Sequence, residues 1–213
     1  MDMVVFEALR KGDWSTRMSA LIAIQEAMER ETIAQNLWSI QQAFDAQFVE
    51  DDEAGVIFTL EILVLRERFC QLVHNFPEHK DLWEPVLFTY IHDRLPDTHP
   101  QPDPSSSGPE WSAPSKWKIR IEAAHSVGVL CDSSALGQLQ ILSLTEAVPL
   151  VRRAMGLAVA ALQNNRQQEL KEYLEAYRMA DREKGKSLLT SLFLGTGPSL
   201  LVYRDEILME IGE

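Results

Sequence analysis

The stretch Arg120-Ile-Glu-Ala-Ala-His-Ser-Val-Gly-Val-Leu-Cys-Asp132-Ser-Ser-Ala135-Leu136 runs on through Leu139 and Leu142 to Val151-Arg152-Arg153-Ala154. Ile119-Arg120 therefore returns as Val151-Arg152 after 32 residues, with one helical hairpin in between. A period of this size marks stacked units, each unable to bury its apolar face until a neighbour covers it. The expectation is an all-α chain wound as an α-α superhelix, a short helical solenoid.

The rest of the chain agrees with helices and offers no convincing strand alternation. Asp13 is placed to cap a helix over about Asp13 to Met28, in which Ala20, Leu21, Ile24, Ala27 and Met28 recur at steps of three and four. Further helical patterns run from about Glu31 to Val49 and from Asp52 to His74, where Pro77 ends the run because proline cannot supply the next backbone donor. A fourth, about Glu78 to Leu95, contains Pro85, where it starts or kinks. Six of the ten prolines fall between Pro96 and Pro114, in a Ser-rich stretch that cannot propagate a helix. It reads as a long loop, with Trp111 docking back on the body. The organisation expected is thus helical hairpins over 1–95, a loop over 96–115 and HEAT-like repeats over 116–213, the two helical parts packed as one domain. After the loop, helices are expected at Lys116 to Leu130, Ser134 to Ser143, Val148 to Gln163, Gln167 to Ala180, Lys184 to Leu194 and Pro198 to Ile211, with breaks at Asn164-Asn165 and at Gly195-Thr-Gly197-Pro198. The Val148–Gln163 helix is apolar nearly all round and needs cover on two sides. Leu188, Leu192, Phe193, Leu200, Leu201 and Ile207 are the candidates for its second side, a partner protein or a second copy of the chain being the alternatives.

Composition narrows the partners. With 20 Lys and Arg against 32 Asp and Glu the net charge is −12, which repels phosphate backbones and disfavours nucleic acid. The apolar runs are interrupted by charges, so no membrane span is expected, and the acidic start Met1-Asp2-Met3-Val-Val-Phe-Glu7 lacks the bases of a secretory leader. A cytoplasmic location follows as the expectation. Cys70 and Cys131, 61 positions apart in apolar helical stretches, read as buried free thiols. The acidic run Glu50-Asp51-Asp52-Glu53 reads as a solvated helix start, since it lacks the spaced ligands and glycine of a calcium loop.

Residues 119–162 resemble HEAT repeats, in particular the short variety first described in bilin (phycobilisome) lyases. In that pattern an arginine opens the second helix, small residues follow, an apolar-Gly pair comes seven and eight positions later, an Asp marks the turn, and Ala-Leu starts the next hairpin. Here these are Arg120, Ala123, Ala124, Val127-Gly128, Asp132 and Ala135-Leu136, with Arg152 opening the next unit. Asp13, Trp14, Arg17, Ala20, Leu21 and Ile24 form a weaker copy, with Trp14 and Trp117 each three before its arginine. Residues 30–95 keep helical period without the motif. Small residues let helices approach closely, and the repeated arginine can bond to carbonyls or acids of the adjacent unit.

No constellation of side chains forces a reaction, and no catalytic, cofactor or metal residue is assigned. His74 and His79 are five apart with Pro77 between them, which does not put two ligands on one helical face. Gly195-Thr-Gly197-Pro198 lacks the Lys and Ser/Thr of a phosphate loop and reads as a helix end and a helix start back to back. The function expected is a non-catalytic protein-protein interaction scaffold or adaptor. Its partner-binding candidates are Lys118, Glu122 and His125, read as a solvated face opposite Ile119, Ala123, Val127 and Leu130, together with Arg153. The repeat variety implies a bilin- or chromophore-handling lyase as an alternative. A HEAT-like alkylpurine DNA glycosylase is a third reading, for which Trp14 and Trp117-Lys118 supply the aromatic and basic hints but the acid excess counts against it.

Replacing residues 97–113 by a short Gly/Ser bridge is expected to leave the free energy of urea unfolding within about 1 kcal/mol of the parent, because Pro-rich loops contribute few buried contacts. A loss of several kcal/mol would mean that the loop packs as part of the body.

Overall fold

The computed structural model describes residues 5, 8, 13–29, 63, 66–74, 76–93, 116–197 and 200–205. The helix expected from Glu31 to Val49, the acidic run at 50–53, the Pro-rich stretch with Trp111, and Ile207 lie outside the described residues. Among those described there are nine helical segments and no strand. They are α1 (Trp14–Glu29), η1 (Pro77–His79), α2 (Lys80–His92), α3 (Lys116–Leu130), η2 (Ser133–Ala135), α4 (Leu136–Thr145), α5 (Pro149–Asn164), α6 (Gln167–Arg178) and α7 (Arg182–Leu192). Shorter helical stretches cover 66–73 and 200–205. The chain divides into two compact units, residues 1–72 with 95–119, and residues 73–94 with 120–213. Residues 73–94, which precede the Pro-rich stretch, thus group with the helices that follow it.

In the first unit Asp13 caps α1: its Oδ1 accepts the Thr16 amide at 2.8 Å and its carbonyl accepts the Arg17 amide at 2.9 Å. That arrangement satisfies donors which a helix start leaves open. Ala20, Phe69, Cys70, Trp117 and Ile119 are buried here.

The second unit holds most of the described residues. The helical stretch at 66–73 stops ahead of Pro77, as expected, and η1 begins at that proline. Helix α2 runs straight through Pro85 from Lys80 to His92. The missing amide is tolerated because Pro85 is exposed and its would-be acceptor, the Asp81 carbonyl, belongs to another exposed residue. The opposite side of α2 buries Trp83, Val86, Leu87 and Ile91.

Helix α4 packs along α5 and α6 along α7, giving two hairpins, and α5 also lies against α6 and α7. The α5–α6 and α6–α7 turns close in the same way. Asn165 and Ala180 adopt left-handed φ values of 52° and 54°, the Arg166 amide donates to the Ala161 carbonyl at 2.8 Å, and the Asp181 amide donates to the Ala176 carbonyl at 2.9 Å. These six-to-one bonds satisfy helix-end carbonyls. Asp181 then caps α7 through the Lys184 amide at 3.1 Å. The turn at Gly195, with φ of +87°, follows α7 as the expected break.

Helix α5 is buried from Ala154 through Leu162. The cover foreseen for its second side is intramolecular: Leu157, Ala160 and Ala161 share a core with Leu170, Tyr173 and Leu174 of α6 and with Leu189, Leu192 and Phe193, and Leu188, Leu200, Leu201 and Tyr203 pack against it. Two glycines set the spacing. A Cβ on Gly128 would stand 2.7 Å from Ala158 Cα and 2.6 Å from Leu170 Cδ2, and one on Gly156 would stand 2.7 Å from the Tyr203 ring. The small residue at 128 therefore brings α3 onto the backbone of α5.

Gly128→Ala is expected to cost about 1–3 kcal/mol in urea unfolding, since backbone cannot yield as a flexible side chain does. Ala180→Gly should raise stability by about 0.5–1 kcal/mol, because the alanine Cβ is disfavoured at a left-handed φ.

Candidate functional site

The repeated arginines converge on one residue that the sequence reading did not single out. Arg120 Nη2 on α3 donates to Glu146 Oε1 at 2.8 Å, and the two side chains are only 7% and 2% exposed. The same oxygen accepts the Val148 amide at 2.8 Å, at the start of α5, and Arg152 Nη1 donates to the Glu146 backbone carbonyl at 3.1 Å. Glu146 thus ties α3, the end of α4 and the first turn of α5 together. Its signal in the sequence is slight: a lone acid between Thr145 and Ala147, six positions before Arg152.

The turn acid of the repeat, Asp132, accepts from Lys80 Nζ at 2.8 Å and from the Ser134 amide at 2.9 Å, fastening η2 to α2. The Lys80 ammonium, and then the Ser134 hydroxyl and amide, hold the Asp132 carboxyl well below the usual carboxylate range. Nearby Cys131 is a buried free thiol, as is Cys70; burial first, and the Glu84 charge second, push the Cys131 thiol up to about 12. A thiol in that condition is a poor nucleophile.

Glu122 and His125, expected on a solvated face, are largely covered instead, with side chains 18% and 14% exposed. The reason is α6. Its Arg178 Nη2 reaches Glu122 Oε2 at 3.4 Å, while His125 Nδ1 lies 3.9 Å from the same oxygen. His74 is buried, at 6% exposed. Burial, then the charges of Arg178 and Lys171, lower the His74 pKa to about 4 against a smaller opposing effect of Glu122. The other two candidates have different surroundings. Lys118 belongs to the first compact unit, with its Nζ 5.7 Å from the Trp117 ring centroid, and Arg153 is half-buried on α5.

The open surface lies elsewhere, on α4. Leu139 and Leu142 point into the core, whereas Ile141 is 66% and Leu144 82% exposed. With Gly137, beside which a Cβ would meet nothing, they form an i, i+4, i+7 ridge. The helix Leu-Gly-Gln-Leu-Gln-Ile-Leu-Ser-Leu-Thr carries no charge. Its apolar residues outnumber what one buried stripe needs, which is the feature of the sequence that could have disclosed the ridge. Among the described residues no group of three or more His, Cys, Asp or Glu is placed to hold a metal ion, and no helix is long and apolar enough to cross a membrane.

Arg120→Ala or Glu146→Ala should each cost about 3–5 kcal/mol in urea unfolding, because each strands a buried charge. Arg120→Met with Glu146→Leu should recover much of that loss. Arg152→Ala, which removes one partly buried charged donor, should cost about 1–2 kcal/mol. If Arg120→Ala proves neutral, the pair does not carry the stacking assigned to it. No protein-family model matches this chain, and no curated protein or solved structure is significantly similar to it.

Proposed function

We propose that this chain is a short α-solenoid of HEAT-like hairpins that serves as a non-catalytic interaction module, holding a protein partner on its surface. Two successive hairpins, α4–α5 and α6–α7, support the solenoid reading, as does the arginine pair one repeat apart that meets at Glu146. The single observation behind the interaction reading is the uncharged ridge of Gly137, Ile141 and Leu144. In a chain of net charge −12, ten consecutive residues without charge and with two large aliphatic side chains in solvent form a surface suited to burial against another protein.

On this reading α4 is the docking surface, in preference to Lys118, Glu122, His125 and Arg153. Glu122 is engaged by Arg178, and His125 is mostly covered, so neither offers much free area to a partner. A chromophore-handling or glycosylase activity is less favoured: the first rests on the repeat variety alone, and for the second the net acidic charge opposes a nucleic-acid backbone.

Ile141→Ser with Leu144→Ser should leave the melting temperature within a few degrees of the parent, because both side chains are already in water. Affinity purification of parent and variant from the native cells, compared by quantitative mass spectrometry, should then lose at least one specific partner in the variant. Equal recovery of every partner at equal protein stability would overturn the reading.

A further inference from the structure

The order of side chains along α4 bears on what covers its ridge. Gly137, where a Cβ would meet nothing, stands four positions before Ile141, and Leu144, 82% exposed, stands three positions after it. At about 1.5 Å per residue these offsets are about 6 and 4.5 Å along the axis, so the gap at Gly137 and the projection at Leu144 flank Ile141 at nearly equal distances. A second α4 laid antiparallel, with a two-fold axis beside Ile141, therefore sets Leu144 of each copy over Gly137 of the other and brings the two Ile141 side chains together. An interface between like copies has to be complementary to its own reversal, and this ridge is.

Charge points the same way. Of α1 to α7, α4 alone carries no charged residue. Two chains of net charge −12 repel each other, and the repulsion is least where neither brings a charge to the contact. Other exposed apolar side chains of the unit lack this setting: Leu82 lies between Asp81 and Glu84, and Tyr177 and Met179 flank Arg178. The polar side chains beside the ridge already have partners within the chain. The Thr145 hydroxyl donates to the Ile141 and Leu142 carbonyls, each at 3.2 Å, and Gln138 and His92 share a hydrogen bond between their Nε2 atoms at 3.2 Å. Covering the ridge leaves neither of them stranded.

We infer that the occupant of the α4 ridge is a second copy of this chain, paired with the first as an antiparallel, two-fold α4–α4 dimer; this takes α4 to be the docking surface proposed above. Two helices of 10 residues offer less area than a standard interface, so the dimer is weak and its population depends on concentration. Because net repulsion opposes it, added salt strengthens it.

Sedimentation equilibrium of the full chain from about 10 µM to about 1 mM tests the pairing. The parent should pass from monomer to dimer over this range, with tighter association in about 0.5 M than in about 0.05 M sodium chloride. Gly137→Leu should fill the gap and weaken association at least about tenfold at an unchanged melting temperature. Leu144→Glu, at a position already in water, should also weaken it by placing a carboxylate from each copy in the contact, which keeps the test available if the first variant folds poorly. Adding Leu144→Ala to Gly137→Leu should restore pairing, because a large side chain then faces a small one again. A parent that stays monomeric throughout, or a dimer indifferent to both single variants, overturns the inference. If the parent is monomeric but Ile141→Ser with Leu144→Ser still loses an unrelated protein in affinity purification, α4 remains the docking surface and the second copy is not its occupant. A monomeric parent with every partner recovered removes both readings.

Discussion

A carboxylate buried to 2% exposure persists only if its charge is met, and Glu146 depends for this on Arg120. The rest of the second compact unit is arranged around that demand. Because Arg120 comes from α3 and Glu146 from the junction of α4 and α5, satisfying the charge sets the position of α3 relative to the following hairpin. The same carboxylate oxygen takes the Val148 amide, so the pair also closes the start of α5. The next arginine of the repeat, Arg152, returns to the Glu146 carbonyl. An ion pair of this kind is worth little as net stability, since desolvation offsets most of its Coulombic gain. Its value lies in excluding other registers, because a shift of α3 by one turn would leave two charges buried and unpaired.

With α3 held there, side-chain size decides how near it can come. Gly128 admits the backbone of α5 at Ala158, and the run of small residues on α5, Ala158, Ala160 and Ala161, leaves room for Leu170 and Tyr173 of α6. The apolar circumference of α5 is consumed in this way by its own chain. On α4 the two inward leucines already satisfy the core, and Ile141 and Leu144 are left in water, as are Leu82, Tyr177, Met179, Leu194 and Val202 elsewhere in the unit. The exposed ridge and the core are therefore products of one sequence pattern: more apolar positions than the interior can accept.

Polar side chains show the opposite economy. Glu122 and His125 sit on what period alone marks as the outer face of α3, but a helix in a stack has neighbours on more than one side. Arg178, from α6, comes to Glu122 and partly covers that face. Burial, with the charges of Arg178 and Lys171, lowers the pKa of His74 to about 4.

Much of this was legible in the chain itself. Apolar spacing located α1, α3, α4, α5, α6 and α7 to within a few residues, and Asp13, Asn165 and Gly195 fell at their ends, because helix period and end chemistry are local properties. The burial of Cys70 and Cys131 and the cover of α5 by Leu188, Leu192 and Phe193 were legible from the apolar spacing as well. The partner of Arg120 was not. Glu146 lies 26 positions away, and nothing in its immediate surroundings distinguishes it from a solvated acid. The covering of Glu122 by Arg178, 56 positions on, was likewise hidden, as was the exposure of Ile141 and Leu144. Period tells which side chains share a face of one helix; only packing decides which faces another helix covers, and therefore which charges are buried together and which aliphatic groups remain in water.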